Sequence, residues 1–170
     1  MELEQQLVRH LQEAHAMEQN VLRMLDGMIS TSEDPGMIDT LEHHKVETQR
    51  HRRRIEERLE AHGASNSVVL DAGGILGALA KLPLDIVRGE KSARNARDAY
   101  ATEHLEIAAY ELLERIARQA GDEETADMAL ENRSDEEAMA QKISQSWDVV
   151  VEDVLRSEAA RASRSTPPSS

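Results

Sequence analysis

The sequence contains no cysteine and no phenylalanine, and aromatic residues make up only 2% of its 170 residues. Without cysteine there can be no disulfide, zinc–thiolate site or thiol chemistry, so any metal must be bound by carboxylate oxygens and imidazole nitrogens. With so few aromatics, the core has to be built from Leu, Ile, Val, Met and Ala. This set favours helices over sheets, which predicts an all-α protein.

Basic residues are also scarce, since 20 Lys and Arg stand against 33 Asp and Glu, giving a formal net charge of -13. A polyanion is repelled by phosphate backbones and anionic lipid, so we expect no nucleic-acid partner. The most apolar stretch, residues 68–87, contains Asp71, Lys81 and Asp85 and makes a poor membrane span. The first residues have an amphipathic helical pattern instead of a signal peptide, which predicts a cytoplasmic protein without a transmembrane segment.

Apolar residues recur at three- and four-residue steps, the spacing of helices with one buried face. A breaker-rich segment, residues 30–36, should turn the second helix back against the first. The predicted helices span about residues 2–30, 37–62, 91–120 and 122–160, the last with a break in its first turns.

The second and third predicted helices are joined by a long connection, about residues 64–90, which we interpret as a crossover containing a short helix. A crossover of this length lets the third helix start at the far end of the bundle, as in ferritin-like topology. We therefore expect one ferritin-like four-helix domain over residues 1–162, followed by a disordered tail at residues 163–170.

One carboxylate falls on the apolar face of the first predicted helix. Glu18 follows Leu7, Leu11 and Ala14 at helical spacing. Burying an unpaired carboxylate costs several kcal/mol, so a chain tolerates it mainly where a cation, hydrogen bonds or a metal compensates. Glu18 is therefore a candidate metal ligand, the alternative being a solvated residue at the edge of the buried face.

The second predicted helix repeats this pattern. His44, Glu47 and His51 lie at positions i, i+3 and i+7, on a stripe continuous with Leu41 and Ile55. Two imidazoles and a carboxylate on a core-facing stripe indicate a metal-binding face. Two roles remain open for His44, which either binds the metal itself or orients Glu47 or another ligand.

The second half of the chain echoes the first. Glu18 and Glu47 are 29 positions apart, as are Glu106 and Asp135, and Glu136 is one position further on. Two helical hairpins related by an approximate twofold axis would bring four carboxylates together at mid-bundle. Four carboxylates with one or two imidazoles make a mixed oxygen and nitrogen site that suits iron or manganese better than zinc or copper alone.

Four segments carry a family resemblance: residues 14–18 (AHAME), 44–51 (HKVETQRH), 103–110 (EHLEIAAY) and 135–139 (DEEAM). In them the chain resembles the YciE/YciF-type ferritin-like proteins, a bacterial family associated with stress responses. The resemblance implies a di-metal centre in which two helices each supply one Glu and the other two each supply a Glu and a His. The implied metal ligands are Glu18, Glu47, His51, Glu106 and Glu136. The supporting residues or alternative ligands are His44, Glu103, Tyr110 and Asp135.

The sequence departs from that ligand scheme in two places. Glu47 and His51 are spaced i, i+4 where the scheme has i, i+3, which still leaves both on one face. In the fourth helix Met139 and Ala140 stand where a histidine should follow Glu136. Three arrangements remain open: an asymmetric site, a single weakly held ion, or a site completed by water and a neighbouring aspartate.

The leading hypothesis is a di-iron or manganese protein that handles peroxide, oxygen or iron during stress, with oxidase- or peroxidase-type activity left open. We expect metal ions as partners and a homo-oligomer, most simply a dimer. The alternative is a non-enzymatic interaction or protective protein with a structural or vestigial polar core. In that case the apolar face of the crossover would be the active surface.

Overall fold

The computed structural model describes residues 2–32, 34–66 and 91–165, and this part of the chain contains five helices and no strand. The first three helices match the predicted ranges closely, and the all-α prediction is confirmed. The short helix predicted within the crossover lies outside the described residues. The helices are α1 (Glu2–Thr31), α2 (Pro35–Ala61), α3 (Lys91–Ala120), α4 (Glu123–Gln145) and α5 (Trp147–Ser165).

The fourth predicted helix is two helices, and the break lies at Ser146 rather than in the first turns. The Ser146 hydroxyl and backbone N–H both donate to the Ile143 carbonyl, at 2.8 and 3.0 Å. These bonds tighten the last turn of α4 and end it. Residues 163–165, which we assigned to the tail, belong to α5, and the remaining five residues of the tail lie outside the described part.

Four helices form a closed bundle in which α1 packs against α2 and α3, and α4 packs against the same two helices. Each neighbouring pair is antiparallel, because contacts join the early residues of one helix to the late residues of the other. The contacts that show this are His15 with Glu56 and Asp26 with Lys45 for α1 and α2, Glu18 with Tyr110 and Met24 with Thr102 for α1 and α3, His51 with Asp135 and Arg58 with Asp122 for α2 and α4, and Glu114 with Arg133 for α3 and α4. Because α2 and α3 are both antiparallel to α1, they are parallel to each other. The connection between them must therefore span the length of the bundle. The ferritin-like topology is therefore confirmed.

The α2–α4 register is fixed by Asp122, the N-cap of α4. Its carboxylate accepts from the backbone N–H of Thr125 at 3.0 Å, from Arg58 at 2.9 Å and from His62 at 2.8 Å. Burial alone would raise the pKa of Asp122, but hydrogen bonds from Thr125, His62 and Arg58 outweigh it and lower the pKa. This network links the start of α4 to the end of α2. Gly63 follows the end of α2 with a φ of 63°, the left-handed conformation with which helices commonly end.

The bundle core consists of apolar layers at two ends with a polar layer between them. One apolar layer is centred on Leu11, Ile55 and Leu113, and the other contains Leu25 and Met139. On each of the four bundle helices, buried polar residues lie between the residues of these two layers. In the described part of the chain, no helix is long and apolar enough to span a bilayer.

Candidate metal centre

The polar layer at mid-bundle is built from six side chains of four helices, each no more than 1% exposed. Helical phase places them there, because each lies on the same stripe as the apolar residues before and after it. They are Glu18 from α1, His44 and His51 from α2, Glu103 and Glu106 from α3, and Glu136 from α4.

These side chains form two groups that share one carboxylate. Donor atoms of His44, Glu103, Glu106 and Glu136 lie within 4.8 Å of one another, and so do those of Glu18, His51 and Glu136. Each group contains one imidazole. Glu136 belongs to both groups, so its carboxylate would be shared if each group held a cation.

His51 is oriented from outside the layer by an aspartate. Its Nε2 is 3.0 Å from Asp135 Oδ2, which also accepts from Arg50 at 2.5 Å. Its Nδ1 faces inward and lies 2.9 Å from Glu136 Oε1 and 3.6 Å from Glu18 Oε1. Carboxylate support of one ring nitrogen fixes the tautomer and leaves the lone pair of the other nitrogen for a metal.

His44 has the same arrangement with the ring nitrogens exchanged. Its Nδ1 is 3.4 Å from Glu47 Oε2, while its Nε2 faces the layer, 3.4 Å from Glu103 Oε1 and 3.7 Å from Glu136 Oε2. Both imidazoles are therefore backed by a carboxylate nearer the surface. Each presents its second nitrogen to Glu136.

Within the part of the chain that the structure describes, the donor atoms that face one another lack hydrogen-bond partners. Both oxygens of Glu106 and of Glu136 are buried without one, as are Glu18 Oε2 and Glu103 Oε2 and the inward nitrogens of His44 and His51. The short distance from His51 to Glu136 does not change this, because the two groups are not aligned as donor and acceptor. Native proteins leave few buried polar atoms unsatisfied, so a converging set of them fits a metal-binding site. Carboxylates and imidazoles without thiolate fit iron or manganese.

The charges of the layer lead to the same conclusion. Burial raises the pKa of Glu18, Glu106 and Glu136, and repulsion from the neighbouring carboxylates raises that of Glu106 further. Burial alone would lower the pKa of the two histidines, but the facing carboxylates outweigh it and raise the pKa of His44 to about 9 and of His51 to about 10. Without a metal the layer therefore holds protons. Two divalent cations would balance four ionised carboxylates and leave both imidazoles neutral.

Tyr110 supports Glu18 from the adjacent turn of α3. Its hydroxyl donates to Glu18 Oε1, and its ring meets the imidazole of His51 edge to face at 6.0 Å. Burial and the Glu18 carboxylate raise the pKa of Tyr110, which keeps the phenol protonated as a donor. Glu18 Oε2 is thereby left to face the layer.

The structure brings four of the five predicted ligands together and leaves one outside. Glu18, His51, Glu106 and Glu136 converge, whereas Glu47 belongs to neither group and its side chain is 21% exposed. The predicted supporting residues divide between two positions. His44 and Glu103 face the layer, while Asp135 and Tyr110 lie behind His51 and Glu18. The implied scheme has one histidine on each of two helices. Here α4 supplies none, and both histidines of the layer come from α2.

Comparison with known proteins places the chain in a family. A family model described as "Domain of unknown function (DUF892)" matches residues 2–156. The chain belongs to this family. It also resembles a structure from Xanthomonas campestris pv. campestris, with 28% identity and a TM-score of 0.79 over 94% of this chain and 99% of the other. The resemblance to YciF-type ferritin-like proteins is thus confirmed for this DUF892 member.

Two further structures share the fold at lower identity. The E. coli stress protein YciF has 20% identity and a TM-score of 0.72, covering 89% of this chain and 96% of its own. Ferritin-like, diiron-carboxylate proteins from Bacillus anthracis have 16% identity and a TM-score of 0.70, with 85% and 97% coverage. At these identities the similarity supports the fold of this DUF892 member and says nothing of its function.

Proposed function

We propose that the protein binds two iron or manganese ions in its polar layer and handles peroxide, oxygen or iron during stress. The main support for this proposal is that buried donor atoms without hydrogen-bond partners converge on both sides of Glu136. A stable apolar core would avoid such atoms, because each unpaired buried carboxylate is strongly unfavourable. A pair of divalent cations removes that penalty.

The ligand set follows from the two groups. His44, Glu103, Glu106 and Glu136 would hold one ion, and Glu18, His51 and Glu136 the other. Glu47 would then hold His44 in the tautomer that binds the ion. It would affect the ion only through this imidazole and not as a ligand.

Iron or manganese bound there would supply one-electron redox chemistry toward peroxide or oxygen. The chain's own part is to hold and shield the site. Tyr110 fixes Glu18, Asp135 fixes His51, and the apolar layers above and below exclude bulk water. Carboxylates such as Glu106, with no competing hydrogen bonds, are free to change which oxygen they present.

Two structural relatives support the physiological part of this proposal. One is named a stress protein and another a diiron-carboxylate protein, and their common fold makes similar roles for this chain the leading choice. We further propose a cytoplasmic homo-oligomer, a dimer in the simplest case. The non-enzymatic alternative depends on the apolar crossover, most of which lies outside the described residues.

Metal analysis of protein purified without chelator tests the function. We expect about two iron or manganese ions per chain and consumption of hydrogen peroxide when Fe(II) is supplied. Glu136→Gln should lose both properties. The matched control is Glu137→Gln, because this neighbour is 55% exposed and pairs with Arg133 on the surface. Metal-free wild-type protein whose stability does not respond to added metal would instead support the non-enzymatic role.

A further inference from the structure

The two outer carboxylates behind the histidines differ in their surroundings. Asp135 is paired with Arg50 at 2.5 Å, so its charge is compensated and an approaching cation meets a guanidinium. Glu47 has no lysine or arginine within ion-pair distance among residues 2–32, 34–66 and 93–160. Among these residues, Glu47 is therefore the outer carboxylate without a lysine or arginine partner, and its contacts are the imidazoles of His43 and His44.

A surface histidine contacts Glu47 from the solvent side. The side chain of His43 is 68% exposed, and its Nε2 lies 3.4 Å from Glu47 Oε1. The other oxygen of Glu47 is 3.4 Å from His44 Nδ1, and the far nitrogen of His44 is 3.4 Å from Glu103 Oε1. Glu47 thus contacts both a surface imidazole and a buried imidazole whose far nitrogen faces the layer.

We propose that His43 and Glu47 form an uptake site that captures a divalent cation from solution and transfers it to the buried centre. This inference rests on the proposed di-metal function. An imidazole and a carboxylate at i, i+4 offer the same donor types as the centre, so they suit the same ions. Water completes the coordination at the surface, since the pair supplies only two ligands. The partial exposure of Glu47, 21%, lets one carboxylate contact both the surface donor and the buried imidazole.

A purely orienting role for Glu47 makes a different prediction. If Glu47 only fixes the tautomer of His44, then His43 has no part in loading, because its contact is with Glu47 and not with the layer. If the pair captures the ion, loss of His43 slows loading while the centre itself stays intact. His43→Ala therefore separates the two roles, and because His43 is exposed the substitution leaves the fold intact.

The experiment is stopped-flow loading of the metal-free, full-length protein with Co(II), followed by its visible absorption, together with the final cobalt content. We expect His43→Ala and Glu47→Gln to load about 3- to 10-fold more slowly than wild type. This is at the low end of the increase in association rate that a charged site gives to an oppositely charged ligand. His43→Ala should reach the wild-type cobalt content.

Two matched controls address general effects on charge and surface. Glu42→Gln removes an exposed carboxylate of the same helix, and His10→Ala removes the histidine of another His–Glu surface pair, His10 with Glu13. Both should load at the wild-type rate. Loading of His43→Ala at that rate would overturn the uptake site while leaving the centre in place. Failure of wild-type protein to bind cobalt at all would overturn the proposed function and the uptake site with it.

Discussion

Replacing Glu106 by glutamine should stabilise the metal-free protein and weaken its response to metal. Glu106 is fully buried, and neither of its oxygens has a hydrogen-bond partner. Burial and the carboxylates of Glu136, Glu18 and Glu103 raise its pKa, which means that the surroundings disfavour its charged form. Glutamine has the same shape without the charge, so the substitution removes the repulsion and leaves the packing intact.

The size of the effect follows from the burial. Relieving an unsatisfied buried charge of this kind is worth about 1–3 kcal/mol. A chain of this length shifts its Tm by about 2–4 °C per kcal/mol, so the metal-free variant should melt about 2–12 °C higher than wild type. At a hundredfold excess of metal over Kd, each site adds about 2.7 kcal/mol. Two sites together should therefore raise the free energy of unfolding of wild type by about 5 kcal/mol. Loss of the site that contains Glu106 should halve this increase.

Urea and thermal denaturation, each with chelator and with excess Mn(II), measure both quantities. Glu111→Gln is the control, because Glu111 is exposed on the same helix and pairs with Arg115. The control should change neither the metal-free stability nor the response to manganese by more than about 0.5 kcal/mol. Chelated Glu106→Gln that is less stable than wild type would refute the reasoning, since Glu106 would then be satisfied without a cation.

Three further predictions follow from the same geometry. Glu136→Gln should lose both ions, whereas Glu103→Gln, which alters one group, should keep one, as counted by elemental analysis of purified protein. Asp122→Ala should lower the free energy of unfolding in urea by about 2–3 kcal/mol, because the N-cap and the ties to α2 go together. Among the described residues, the partners of the exposed N-cap Asp34 are backbone N–H groups, so Asp34→Ala should lower the free energy of unfolding by about 1 kcal/mol. With chelator present, stability should be greatest below pH 6.5 and fall as the pH rises through about 9 and 10, because the pKa of both buried histidines is raised from 6.5 to those values. A flat urea-denaturation profile over that range would contradict this assignment.

The bundle could be predicted because the apolar spacing is regular and the breakers are strong. STSEDPG at residues 30–36 and Gly63 bound α2, and Gly121 ends α3 with a φ of 75°. The break at Ser146 gave no comparable signal. Ile143 and Val150 are both buried at helical spacing across it, so the apolar pattern continues through a serine whose local hydrogen bonds end the helix.

The position of the polar layer along the bundle could be predicted from the sequence, but the role of each residue in it could not. Leu41, His44, His51 and Ile55 share one buried stripe, and Glu47 lies beside it by a small rotation about the helix axis. Spacing alone gives Glu47 and His44 nearly equal standing as ligands. Only packing against α3 decides which of the two faces the layer. The small difference between them is the seven-residue step that puts both histidines in phase with the apolar residues, which is the signal that could have favoured His44 over Glu47.

The most direct measurement is an anomalous difference map from crystals of the protein grown with Mn(II). We expect two peaks at mid-bundle, one on each side of the Glu136 carboxylate, with His44 against one and His51 against the other. A polar layer without peaks, or peaks confined to acidic side chains on the outer surface, would contradict it.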